Sequence, residues 1–128
     1  MTLRSPLGQV LGLGAAKDGV SHWWAQRLSA VALVPLTLWF LVSVVRLDAA
    51  DFSAAHVWLS APVHAVGALL LVVVLCVHSR LGLQVVVEDY VHQPGAKLVT
   101  LVAIDFAHVL VVAIGAFAIL KVAFGAAP

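Results

Sequence analysis

Three long apolar segments make up most of this chain, separated by short polar stretches. The first runs from about Leu28 to Val45, the second from about Val63 to Val87, and the third from about Leu98 to Val122. As helices, all three are long enough for a hydrocarbon core of ~30 Å. Trp23 and Trp24 stand immediately before the first segment, where a membrane helix carries its aromatic belt. Pro35 lies near the middle of that span and removes one backbone hydrogen bond, which predicts a kink that neighbouring helices can tolerate. Arg46 closes the span. The stretch that follows holds Asp48, Asp51, Phe52, His56, Trp58 and Leu59. Phe52, Ala55, His56 and Leu59 share one helical face, so a short interfacial helix is expected there. His92-Gln93-Pro94-Gly95 ends the second span with helix-breaking residues, and Lys97 anchors the start of the third. The predicted fold is an all-α membrane protein of three transmembrane helices, a single membrane-anchor domain over residues 1–128.

Residues 1–20 carry Arg4 and Lys17 around an apolar run from Leu7 to Ala16. Gln9 and three glycines interrupt that run, leaving too weak a core for a signal peptide. An uncleaved cytoplasmic tail near the membrane surface is the expectation. Basic residues near span ends number four on the N-terminal side (Arg4, Lys17, Arg27, Lys97) and two on the other (Arg46, Lys121). That imbalance predicts a cytoplasmic N-terminus and an exported C-terminus.

Composition removes several alternatives. Hydrophobic residues are 63% of the 128 and charged residues 10%, with a mean hydropathy of +1.11. A soluble domain this small could not hide so much apolar surface, so the excess must face lipid or other subunits. The net charge of +1 gives no basis for nucleic-acid binding, which needs clustered Lys and Arg. The single cysteine, Cys76, excludes an internal disulfide and any cysteine-held metal cluster. It stands two residues before His78, on a different side of the helix, and reads as a buried inert thiol.

The chemistry concentrates in His78-Ser-Arg-Leu-Gly82-Leu-Gln84-Val-Val-Val-Glu88-Asp89-Tyr90. At about 100° per residue Gly82 lies one turn from His78 on the same stripe, and Asp89 returns to it three turns on. A ring nitrogen beside a position with no side chain suits a bulky planar ligand, and an imidazole deep in an apolar helix is a natural axial ligand for haem iron. About 18 Å further along the axis, Asp89 and Tyr90 reach the membrane–water boundary. A phenol there can donate a hydrogen bond to a ligand that lives in the bilayer.

The pattern His-x3-Gly-x-Gln-x4-Asp-Tyr resembles the small hydrophobic membrane anchor of succinate dehydrogenase, respiratory complex II. The upstream Ser21-His22-Trp-Trp-Ala-Gln-Arg27-Leu-Ser29-Ala also resembles that family, in which a His and an Arg precede the first span. The resemblance implies that His78 is an axial ligand of haem b and that Gly82, Arg27 and His22 help bind the cofactor. It implies that Tyr90 contacts ubiquinone, in a quinone site that Arg27 helps line and in which Asp89 orients Tyr90 or Arg27. It further implies a second anchor subunit sharing the haem, an iron–sulfur subunit and a flavoprotein subunit that carry the clusters and FAD, and a place in the bacterial cytoplasmic membrane. A fumarate reductase anchor would run the same chemistry in reverse.

The remaining polar residues take plainer readings. A lone buried histidine glues helices together more often than it binds a ligand. His56 and His64 read as surface and interfacial residues. His64 and His78 are fourteen apart and share a stripe, but the other spans supply only His108 at depth, too few for two haems. Arg80 could meet a haem propionate or pair with a carboxylate of its own helix. Asp105 and His108, three apart on one face, suit mutual satisfaction or a hydrogen bond to a sister helix. A different class of function uses the same residues: a small proton-coupled transporter with Asp105, His108 and His78 as its path.

Overall fold

The computed structural model describes residues 16–47 and 51–125. They form four helices: α1 (Ala16–Arg46), α2 (Phe52–Ser60), α3 (Pro62–Tyr90) and α4 (Pro94–Phe124). Among the described residues there is no strand. Three helical segments, Gly19–Arg46, Pro62–Tyr90 and Pro94–Phe124, are long and apolar enough to cross a membrane. All of them overrun the apolar segments read from sequence, α1 most, because it begins at Ala16 rather than near Leu28. The reason is physical. Hydropathy marks the hydrocarbon thickness, while helical hydrogen bonding continues into the headgroup layer, where a chain still gains from satisfying its own backbone. At ~1.5 Å per residue a 31-residue helix reaches about 46 Å, close to a whole bilayer. The expected N-terminal tail, with Arg4, and Asp48 of the connecting stretch lie outside the described residues. α1 runs through Pro35 without a break in its helical assignment.

The short interfacial helix is present as α2, nine residues long. Asp51 caps it: its carboxylate accepts from the Ser53 N–H at 2.9 Å and from the Ser53 hydroxyl at 2.9 Å. The Ala61 N–H returns to the Trp58 carbonyl, and Pro62 then starts α3 at a position where its missing N–H costs nothing. Between α3 and α4 the Lys97 ammonium donates to the Glu88 carbonyl at 2.9 Å, tying the turn to the end of α3.

α3 is the middle helix, packed on α1 along one side and on α4 along the other, while α1 and α4 do not pack on each other. Its buried side chains are small or slender: Ala65, Ala68, Leu71, Cys76, Leu81 and Val87. Small residues let membrane helices approach, since lipid tails are as apolar as leucine and only close packing favours association. Gly67 and Gly115 mark the closest approaches. A Cβ on Gly67 would meet the Trp39 indole of α1 at 2.6 Å, and one on Gly115 would meet Val72 at 3.1 Å. Above Gly67, Trp39 stacks on Trp58 of α2 (5.8 Å between centroids), and Trp58 stacks on His64 at 4.6 Å. The His64 Nδ1–H donates to the Trp58 carbonyl at 2.8 Å, so this histidine is satisfied within the chain. Elsewhere the surface is apolar, with Val31, Val34, Leu38, Val109, Ile114 and Phe117 all exposed. Such a surface is stable only against lipid or other protein.

Candidate functional site

Polar side chains gather in two seams on opposite sides of α3. The geometry of the helix separates them: His78 lies 100° from Ser79 and 200° from Arg80, so one turn of α3 presents chemistry to both neighbours.

Ser79 and Arg80 face α4. The Arg80 guanidinium holds Asp105 with two hydrogen bonds, Nε to one carboxylate oxygen at 2.5 Å and an Nη to the other at 3.0 Å. This fork geometry compensates a charge that is costly inside a membrane. His108 is fully occupied beside it. Its Nδ1 lies 2.7 Å from the Ile104 carbonyl, which can only accept, so that nitrogen carries the proton. The Nε2 then accepts from the Ser79 hydroxyl at 2.7 Å. Of the two expectations for Asp105 and His108, the sister-helix bond is the one made, and each finds its own partner on α3. Arg80 pairs with a carboxylate, but of α4 rather than of its own helix. Cys76 is buried on this side, as expected of an inert thiol. It lines a groove of ≈ 420 Å³ with Val73, Val77, Arg80, Asp105, His108 and Val109. The polar groups of that groove already have partners.

The other seam faces α1 and is less complete. His22, Gln26 and Ser29 recur at i, i+4 and i+7 on α1, one stripe pointed at α3. His78 Nδ1 lies 3.0 Å from the Ser29 hydroxyl, and Ser29 itself is buried. His78 Nε2 has only the Gln26 amide nitrogen near it, at 3.5 Å, the outer limit of a hydrogen bond. Two polar atoms of the α1 stripe, His22 Nε2 and Gln26 Oε1, are buried without a hydrogen-bond partner among the described residues. Buried polar atoms are nearly always satisfied, so these two call for a partner from outside the described residues. Within 4 Å of where a Gly82 Cβ would stand only the same amide approaches, at 3.6 Å. Among the described residues no three His, Cys, Asp or Glu side chains gather to hold a metal ion. What this seam offers is the His78 imidazole, with Nδ1 held by Ser29 and Nε2 weakly held.

The structure thus brings His78 and Gly82 against Gln26 and Ser29 of α1, with His22 one turn before Gln26 on the same helix. It leaves the others apart from them. Tyr90 is 78% exposed at the end of α3, and Asp89 beside it is exposed. Among the described residues neither makes a side-chain hydrogen bond or ion pair, so the orienting bond expected from Asp89 to Tyr90 or Arg27 is not formed within this chain. Arg27 is exposed one position round from Gln26, its guanidinium 4.9 Å over the Trp23 ring. Sequence reasoning missed Gln26 and Ser29, although both stand in the segment Ser21–Ala30. The signal was the shared stripe with His22.

These features define the class: an integral membrane protein of three helical spans, with a polar seam buried between the first two. The particular family follows from comparison with known proteins. The chain belongs to the succinate dehydrogenase/fumarate reductase transmembrane subunit family, whose sequence model matches residues 1–112. It is similar to the succinate dehydrogenase hydrophobic membrane anchor subunit of Rickettsia bellii, 28% identical over 109 residues, covering 85% of this chain and 87% of that protein. It is also similar to the protein of the same description from Paracoccus denitrificans, 30% identical over 115 residues, covering 90% and 88%. No solved structure gives a significant match.

Proposed function

We propose that this membrane anchor subunit of succinate dehydrogenase binds haem b through His78 Nε2, and helps form the site where ubiquinone is reduced. One observation carries the reading: both nitrogens of His108 are engaged within the chain, whereas His78 Nε2 has only the Gln26 amide at 3.5 Å, and Gln26 Oε1 is itself buried without a partner. An axial ligand must present a lone pair, and the ring nitrogen opposite it needs a fixed partner, which Ser29 supplies. The glycine one turn away leaves room for a flat macrocycle against the backbone, and His22 and Gln26 offer polar edges. The residues therefore fit the group.

Haem b, when bound, supplies a one-electron redox centre within the membrane. The chain's own part is to hold it and to border the quinone site. His78 would give one axial nitrogen, and a second anchor subunit would give the other. Tyr90 stands exposed at the end of α3 where a ligand can arrive sideways from lipid, and its phenol O–H can donate to a quinone carbonyl. Arg27 near the start of the first span offers a cation to the same region. Asp89 would orient a neighbour rather than meet the quinone, since a carboxylate repels a carbonyl oxygen. An iron–sulfur subunit would deliver the electrons and a flavoprotein subunit with FAD would oxidise succinate. The basic residues near span ends favour the N-terminus, and with it Tyr90, on the cytoplasmic side of a bacterial membrane. A proton-coupled transporter is disfavoured, because Asp105 and His108 are already tied to Arg80 and Ser79.

Gentle purification of the tagged chain from its native membrane tests this. Co-purifying flavoprotein and iron–sulfur protein with a b-type absorbance are expected. A colourless homo-oligomer would overturn the reading. A complex that retains the flavoprotein but has no b-type absorbance would remove the haem from it.

A further inference from the structure

We infer that Ser29 is a positioning residue for the His78 site: it fixes the proton on Nδ1 and so leaves Nε2 as the nitrogen with the lone pair. The inference rests on the haem reading above for its functional meaning, but not for its geometry. The Ser29 hydroxyl lies 3.0 Å from the Gln26 carbonyl oxygen and 3.0 Å from His78 Nδ1. A carbonyl can only accept, and a hydroxyl has one proton to give. With that proton committed to the Gln26 carbonyl three residues back, the hydroxyl meets His78 as an acceptor. Nδ1 must then be the donor, and a neutral imidazole with its proton there carries its lone pair on Nε2.

On the far side the Gln26 amide nitrogen lies 3.5 Å from Nε2, at the outer limit of a hydrogen bond, and an amide N–H there is compatible with a lone pair on Nε2. The selection of the tautomer rests on Ser29. Serine in a helix returns its hydroxyl to a carbonyl one turn back as a matter of local geometry, so the device needs no partner outside α1. Ser29 is buried, which keeps water from competing for the hydroxyl. An acceptor on Nδ1–H also makes the ring a more electron-rich ligand. Its loss should favour the ferrous state and raise the reduction potential.

The experiment uses two readouts. The first is nitrogen magnetic resonance of labelled histidine in the full chain in mild detergent, above pH ~7.5 where an ordinary imidazole is neutral. His78, identified by its loss in His78→Gln, should show the Nδ1–H tautomer; Ser29→Ala should give a mixture, and Ser29→Thr, which keeps the hydroxyl, should restore it. The second is the assembled complex, where Ser29→Ala should retain a b-type haem with altered low-spin g values and a raised potential, and Ser29→Thr should match wild type. An Nε2–H tautomer in the wild-type chain, or a tautomer unchanged by Ser29→Ala, overturns the proposal. If the complex proves to hold no haem, the reading of function fails while the tautomer measurement still decides the role of Ser29.

Discussion

Replacing Gly67 by alanine would drive a methyl group into the Trp39 indole, and the structure says by how much. The new Cβ would stand 2.6, 2.9 and 3.1 Å from three carbons of the six-membered ring. Carbon atoms rest at about 3.5–4.0 Å, so the indole must retreat roughly 1 Å or α1 must move away from α3. Retreat is obstructed, because Trp39 stacks on Trp58 and Trp58 stacks on His64. Two effects oppose one another. Alanine is the better helix former by roughly 0.5–1 kcal/mol, while overpacking a filled interface costs about 1–3 kcal/mol. With overlap as close as 2.6 Å the cost falls toward the upper end of its range, for a net loss of up to about 2.5 kcal/mol by these same figures. Gly19→Ala is the control, since nothing lies within 4 Å of a Cβ there. Unfolding of the full chain in mild detergent, followed by tryptophan fluorescence, should show Gly67→Ala destabilised and Gly19→Ala unchanged or slightly more stable. Trp39→Phe removes the ring edge that Gly67 touches, so Gly67→Ala should cost less in a Trp39→Phe background. A Gly67→Ala chain as stable as wild type in both backgrounds would refute the close packing of α1 on α3.

Tyr90→Phe removes the phenol donor, a bond of about 0.5–1.5 kcal/mol or more where a charge is coupled to it, so quinone reduction should fall several-fold while succinate oxidation by a soluble acceptor persists; unchanged turnover and inhibitor affinity would make Tyr90 a simple interfacial anchor. Asp105→Asn keeps shape and a hydrogen bond to Arg80 and should leave turnover near normal, whereas Asp105→Leu strands the Arg80 charge and should lower the yield of assembled complex, an effect that Arg80→Met should relieve. Hydrogen bonds from the Ser53 hydroxyl and then the Ser53 N–H hold the Asp51 carboxyl below the ordinary carboxylate range. A depressed folded value means that the cap's contribution is complete above the unfolded pKa and is lost as the pH falls through the folded one. Amide protection factors in α2, exchange corrected for its intrinsic pH dependence, should therefore fall only in acid, and Asp51→Asn should remove that fall; protection that varies equally with pH in the mutant would refute it.

The helical spans were legible because lipid imposes one simple demand, a run of apolar residues, and α1, α3 and α4 each satisfy it. Their ends were less so. Nothing in the hydropathy of Ala16–Arg27 says that α1 continues there, since that turn-by-turn choice is made by backbone hydrogen bonding in the headgroup layer. His78 and Gly82 stood out because an imidazole and a glycine on one stripe of an apolar helix are unusual. Ser29 and Gln26 did not, because either residue alone is ordinary in a helix, and their meaning arises only when α1 is laid against α3. Arg80 with Asp105 shows the same limit. Both charges were visible in sequence, but which helix supplied the partner depended on the 200° that separates Arg80 from His78 around α3.

The most direct measurement is magnetic resonance of the oxidised complex carrying His78→Ala, with flavoprotein and iron–sulfur protein verified as present. Wild type should give the low-spin signal of iron held by two histidines, and His78→Ala should lose that signal, through loss of the haem or its replacement by a species with a water or another side chain as ligand. An assembled His78→Ala complex with an unchanged bis-histidine spectrum would contradict the assignment of His78 as the ligand.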